Sequence, residues 1–149
     1  MAAQARLPIA VLMQRRASQH IWADDTWEAV AVVPDSGSTP AITMLTTSPE
    51  RDTYLVPGLE LQLHRDEHDG YYENCIAPEA KVFVLWRMQD GRAIPVKASV
   101  SYAEGTRMFD SGERADGVTM PAEIQSWLAD YLAHNYEPPE RGRRRGHHG

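Results

Sequence analysis

A chain of 149 residues that is 42% apolar and 24% charged suits one soluble domain, able to bury about 70% of the surface its unfolded form exposes. Its longest apolar runs fall far short of the ~20 residues that a membrane helix needs, and a formal charge of −6 argues against a body built to hold polyanions. The lone Cys75 has no internal disulfide partner, which fits a reducing compartment.

Residues 1–6 carry no pattern. Leu7 to Gln14 reads as a first strand, apolar on both faces and so covered on both. Within it, Pro8 to Met13 is too short for a signal-peptide core. Arg15-Arg16 follows that run, the wrong order for a twin-arginine export signal. The expected location is the cytoplasm, with no membrane insertion. Ala17 to Asp25 is a loop, with Ile21-Trp22 tucked back onto the core. Thr26 to Val33 is a second strand, with Trp27, Ala29, Ala31 and Val33 sharing one face. Pro34 to Ser38 is rich in turn formers. Thr39 to Thr47 is a weaker strand bounded by Pro40 and Pro49, which suits a sheet edge.

Tyr54 to Val56 opens another strand before a break at Pro57-Gly58. Gly58 to Tyr102 then reads as an antiparallel meander of four strands. They are Leu59 to His64, Tyr71 to Ile76, Lys81 to Met88, and Ile94 to Tyr102. The turns between them are Asp66 to Gly70, Ala77-Pro78-Glu79 and Asp90-Gly91, the last a strong hairpin signal. The Lys81 strand is apolar on both faces, so it is central, with Trp86 a core anchor. On the next strand Ile94, Val96, Ala98, Val100 and Tyr102 face inward, with Lys97, Ser99 and Ser101 outward. Ala103 to Ser111 fits a short helix and Gly112 to Gly117 a loop. Pro121 to Asn135 is the clearest helix, with Ile124, Trp127, Leu128, Tyr131 and Leu132 on one stripe. Pro138-Pro139 ends the pattern. The expected organisation is a single domain over 7–137 and a disordered basic tail over 138–149. The expected fold is α+β: a curved, mainly antiparallel sheet or partial β-barrel of six to seven strands, with the C-terminal amphipathic helix packed on it.

The chemistry-bearing residues are few. His64, Asp66, Glu67, His68 and Asp69 supply the right atoms for zinc, His64, Asp66 and His68 most of all. A hairpin turn splays such side chains, so the ordinary solvated turn is the stronger reading and no metal is expected. Asp24, Asp25 and Glu28 beside Trp22 and Trp27 suggest a carboxylate pair in an aromatic cleft, set against a plain acidic loop held by two buried tryptophans. Cys75, on a strand, lacks a sequence neighbour that would make it a nucleophile. Phosphate-loop, dinucleotide and nucleophile-elbow patterns are missing from the chain. Arg141, Arg143, Arg144 and Arg145 lie past Pro139 and leave the rest of the chain more acidic still. They offer weak, salt-sensitive attraction to a partner protein rather than dedicated nucleic-acid binding.

Four segments carry a family resemblance: Trp27 to Asp35, Pro57 to Met88, Pro95 to Glu113, and Asp116 to Leu128. Together the chain resembles the domain-of-unknown-function family 3305 from about Leu7 to Pro139. The resemblance implies a setting rather than a mechanism, since such proteins are encoded in bacteria beside molybdenum-dependent formate dehydrogenase genes. It carries over no site residue and no cofactor. The expected function is a non-enzymatic accessory protein that binds a formate dehydrogenase subunit or maturation factor. The alternatives are a small enzyme or carrier acting on the molybdenum cofactor or its metal, and a regulatory ligand-binding module in a barrel mouth.

Overall fold

The computed structural model describes residues 3–37 and 39–138. Seven strands and three helices follow in order: β1 (Ala5–Arg16), β2 (Thr26–Pro34), β3 (Thr43–Thr47), β4 (Arg51–Leu63), α1 (His68–Cys75), β5 (Lys81–Gln89), β6 (Arg92–Ser99), α2 (Tyr102–Asp110), β7 (Arg114–Thr119) and α3 (Ala122–Asn135). A 3-10 turn over Arg65–Glu67 leads into α1. The fold is α+β, and every strand pairing is antiparallel. The strands form two sheets, ordered β2-β1-β4-β3 and β6-β5-β7, not one. No closed barrel results. At the seams β4 lies beside β6 and β2 beside β7 without strand pairing.

One apolar core joins both sheets and α3. Ile9, Val11, Met13, Leu61 and Leu63 of the larger sheet meet Val82, Val84 and Trp86 of the smaller, with Ile124 and Leu128 closing one end. Ile9, Ala10 and Val11 are all buried, as an inner strand covered on both faces requires. β5 is indeed the middle strand of its sheet. Val82, Val84 and Trp86 enter the core, while Phe83 is buried on the opposite face under α2. On α3, Ile124, Leu128, Tyr131 and Leu132 are buried and Trp127 is half-buried, so the helical stripe docks as its spacing dictates.

The meander is the main correction. Tyr71 to Ile76 is not a strand: His68–Cys75 is helical. Tyr71-Tyr72 has high strand propensity, but tertiary bonds override it. The buried Asn74 side chain donates to the carbonyls of Lys81 and Val100, both at 2.8 Å, and accepts from the Lys81 N–H at 3.0 Å. Those three bonds clip α1 across the start of β5 and the end of β6. Gly112 to Gly117 is no simple loop either, because Arg114–Thr119 pairs with the open edge of β5. Only the β5–β6 hairpin survives from the meander. Its Asp90 and Gly91 both take positive φ, 51° and 84°, as a tight two-residue hairpin turn demands.

Bulges explain the remaining differences. Pro57-Gly58 does not break β4. Ile9 pairs with Leu59 and Val11 with Val56, so β4 carries an extra residue there, and Gly58 sits at φ 99°. In β2, Leu12 pairs with Ala31 but Met13 with Ala29, which makes Val30 the extra residue. Parity flips at that point, so Ala29 and Val32 are buried while Val33 is exposed. In β6 the extra residue is Val96; Ala93, Pro95, Ala98 and Ser99 are buried on it, as are Val100 and Ser101 just beyond, so neither serine faces solvent. Tyr102 starts α2 and is exposed rather than inward.

Arg15 fastens one end of the larger sheet. Its guanidinium donates to Asp52 (2.8 Å), Asp25 (3.1 Å) and the Ser48 carbonyl (3.0 Å), and Thr47 donates to Asp52 at 2.6 Å. Hydrogen bonds from Arg15 first, then from Thr47, hold the Asp52 carboxyl down to about 2. A carboxylate lowered on folding stabilises above its unfolded pKa, and that contribution is lost as pH falls from about 4 to about 2. Because water reaches the pair, Asp52→Asn should cost about 1 kcal/mol at pH 7, and the difference from the parent should vanish near pH 2. Denaturant titrations across that range check both limbs.

A second test concerns α2. A Cβ on Gly105 would stand 2.5 Å from a Phe83 ring carbon. Gly105→Ala gains about 1 kcal/mol of helix propensity, whereas overpacking a close contact costs about 1–3 kcal/mol. Overpacking wins here because Phe83 is itself buried and has little room to retreat. The expected outcome is a net loss of about 1 kcal/mol in a urea titration, against the gain that propensity alone would give.

Candidate functional site

The residues with metal-ligand chemistry do not converge. They lie at the entry to α1, not on a hairpin turn, where each successive residue rotates about 100° around the axis. Most are tied to separate partners, His64 through its backbone. The backbone N–H of His64 donates to the Tyr71 hydroxyl (2.7 Å), and His68 Nε2 bonds the Tyr131 hydroxyl (2.6 Å). Asp69 accepts from the Tyr136 hydroxyl (2.7 Å). Glu67 accepts from Arg107 through one oxygen and from Ser101 through the other, both at 2.6 Å. Asp66 stays in the 3-10 turn. Among the described residues, no group of three or more His, Cys, Asp and Glu side chains is placed to hold a metal ion.

These contacts build structure instead. His68, Tyr71, Tyr131 and Tyr136 form an aromatic cluster between α1 and the end of α3, with ring centroids 5.3–6.4 Å apart and edge-to-face contacts except for the tilted His68–Tyr71 pair. Burial raises the Tyr71 hydroxyl well above the ordinary tyrosine range. Ser101 caps α2 by accepting from the Glu104 N–H and also bonds Glu67. A Cβ on Gly70 would come within 2.2 Å of that Ser101 hydroxyl, so only glycine lets α1 pass this close.

The acidic loop departs further from expectation. Trp22 is 92% exposed and Ile21 88%, so neither is tucked onto the core and Trp22 lines no cleft. Asp25 is held by Arg15 and by the Ser18 N–H (3.2 Å). Asp24, Asp25 and Trp27 border a concavity of 480 Å³ that also takes in Arg114, whose guanidinium lies over the Trp86 ring. A second cleft, of 410 Å³, runs between β4 and β6 past His64, Lys97 and Glu104. Burial opposes ionisation of Glu104, but bonds from Lys97 and Ser99 outweigh it and lower its pKa, so the charges of Lys97 and Glu104 satisfy each other. Cys75 lies on α1 rather than a strand, and burial raises its thiol pKa, the opposite of what a nucleophile needs. Arg141, Arg143, Arg144 and Arg145 lie outside the described residues.

What stands out is a surface. β3 is exposed along its whole length and forms the outer edge of its sheet, as its flanking prolines suggest. Ile42, Met44 and Leu45 are exposed along it. The stretch from Ser36 to Pro49 contains no charged residue, although edge strands are usually guarded by charge. Extending that stretch in both directions, no lysine or arginine occurs anywhere from Ala17 to Glu50, whereas Asp24, Asp25, Glu28, Asp35 and Glu50 all do. The β1–β2 loop and the β3–β4 turn meet at one end of the sheet, where the Ala17 N–H donates to the Glu50 carbonyl (2.8 Å). Composition and net charge for the whole chain hide this asymmetry, and charge counted along the chain reveals it.

No curated protein and no solved structure matches the chain. The family described as Protein of unknown function (DUF3305) matches residues 8–145. With nearly its whole length covered, the chain belongs to that family.

Proposed function

We propose that this protein is a non-enzymatic, cytoplasmic binding factor that docks on a polypeptide partner during maturation or regulation of a formate dehydrogenase. The observation that supports binding is the β3 edge. Thr43–Thr47 borders the sheet, exposes Met44 and Leu45, and lies within fourteen successive uncharged residues, Ser36 to Pro49. An exposed strand edge offers unpaired N–H and C=O groups that an extended segment of another protein can complete. The formate dehydrogenase setting rests on the family resemblance alone. The alternative is an enzyme or carrier for the molybdenum cofactor or its metal; direct ligation of the metal by three or more His, Cys, Asp or Glu side chains has no such group to use among the described residues.

In the proposed function the arginines at 141, 143, 144 and 145 serve the same partner through an acidic patch on it, mainly by raising the association rate. Co-purification with separately expressed formate dehydrogenase subunits and maturation factors tests the reading. Leu45→Lys should reduce the captured partner at least about tenfold, while shifting stability by no more than about 0.5 kcal/mol, as an exposed substitution does. Removing residues 140–149 should leave the melting temperature unchanged and slow association at low salt only. Capture indifferent to Leu45→Lys would count against the edge, and a lower melting temperature would mean that the tail packs on the fold.

A further inference from the structure

Resting on the protein-binding reading, and extending it to what is bound, we infer that the cleft between β4 and β6 receives a short, uncharged, extended segment of the partner protein, held by its main chain. β3 covers only the first half of β4, pairing from Asp52 to Leu55, and β6 pairs with β5 alone. Each strand therefore turns a free edge toward the other. The cleft of 410 Å³ lies between those edges, a volume typical of ligand clefts.

The direction of the main chain shows what lines it. In an antiparallel ladder a residue turns its N–H and C=O either both toward the partner strand or both away. On β4, the Leu63 carbonyl accepts from the Gln4 N–H (2.7 Å) on the β1 side, so its neighbours face the other way. There the Tyr71 hydroxyl accepts from the His64 N–H (2.7 Å) and donates to the Gln62 carbonyl (3.4 Å), and Glu60 shares their direction. On β6, the Ala93 carbonyl faces away from β5 to accept from Tyr54, and the bulge at Val96 leaves Ala98 facing the same way. Two tyrosines thus close the ends of the seam. Between them the Glu60 N–H and C=O, the Gln62 N–H, and the Ala98 N–H and C=O face the cleft, and no strand pairs with them.

These groups select the occupant. Donors and acceptors on two facing walls complement an extended polypeptide, which carries both kinds along each of its edges. β4 and β6 run the same way, with Tyr54 beside Ala93 at one end and α1 reaching both Gln62 and Val100 at the other. One segment of opposite direction therefore pairs antiparallel with both. No ladder bond crosses the seam, so the sheets part there without breaking one. Pairing would then run unbroken through β2-β1-β4, the segment and β6-β5-β7. Charge is matched within the walls, Glu60 by Arg6 and Glu104 by Lys97, so neither pair is left to select a charged side chain. The strands of a second copy do not fit, because each is already paired along at least one edge.

The experiment places a benzophenone amino acid at position 62 or 97, one on each wall, at position 45 on β3, or at Gln125 on the exposed side of α3, each in the full chain in its native host. Photolysis and peptide mapping locate the adducts. Positions 62 and 97 should both yield one uncharged segment of one other protein, and position 125 none. That segment, made as a synthetic peptide and added to the full chain, should slow amide hydrogen exchange at Glu60, Gln62 and Ala98. Methylating a main-chain nitrogen within the segment should weaken binding at least about tenfold, and methylating one outside it should not. A methylated segment that binds like its parent overturns the inference. So do adducts to a charged segment or to a second copy of this chain. Adducts from position 45 without any from 62 or 97 overturn the cleft but leave the binding function standing, whereas adducts from none of the three above the Gln125 control overturn both.

Discussion

One carboxylate oxygen fixes how the two sheets meet. Asp116 Oδ2 accepts the Trp86 indole N–H at 2.8 Å and the backbone N–H of Ala29 at 2.9 Å. The first donor belongs to β5 and the second to β2, so one side chain on β7 joins both sheets across their seam. A partly buried carboxylate without donors would be costly, and Trp86 buried without a partner for its N–H would be costly too. Each satisfies the other. The opposite seam is fastened by the Tyr54 hydroxyl, which donates to the Ala93 carbonyl at 2.5 Å. Burial, only partly offset by the Arg92 charge, pushes the Tyr54 hydroxyl up to about 12. Two polar clamps thus do what ladder hydrogen bonds would do in a closed barrel.

The helical layer follows the same rule of complete satisfaction. Asn74 is fully buried, yet its amide meets three backbone groups, and Ser101 serves at once as helix cap and as donor to Glu67. Among the described residues, no buried side-chain polar atom lacks a partner. Several titratable groups of α1 and α2 are therefore engaged in holding the helices to one another, and Glu104 ties α2 to β6 through Lys97. That is why the His64 to Asp69 cluster, rich in ligand atoms, reads as architecture once its partners are known.

Legibility in the sequence tracked how far each signal depended on local chemistry. The double-sided apolar run of β5, the stripe of α3, the Asp90-Gly91 turn and the proline-bounded edge of β3 all follow from local rules. The faces of β2 and β6 do not, because a bulge at Val30 or Val96 is set by pairing with another strand, and one extra residue inverts everything after it. β7 shows a single buried side chain in its ladder, Val118, so its strand character comes from the open edge of β5 and not from its own pattern. α1 was misread for the converse reason: Tyr71-Tyr72 favours a strand locally, while Asn74 needs a helix to reach three backbone groups. Trp22 was the plainest failure. Pattern reasoning treats a tryptophan as core, and only the placement of this one at the tip of the β1–β2 loop, 92% exposed, marks it as different.

One guanidinium links the β1–β2 loop to the exposed edge of the larger sheet. Arg15 reaches Asp25 at the base of the loop that carries Trp22, and it reaches Asp52 and Ser48 at the turn that ends β3. The loop and the edge strand are thus held by the same guanidinium. Asp52, with its carboxyl held down to about 2, keeps its charge throughout the neutral and mildly acidic range, so Arg15 retains that partner across it. Arg16 and Arg51 face each other across the same end of the sheet, and Arg114 borders the concavity of Asp24 and Asp25, so the carboxylates of this end are interleaved with cations in space although none occurs between Ala17 and Glu50 in the chain.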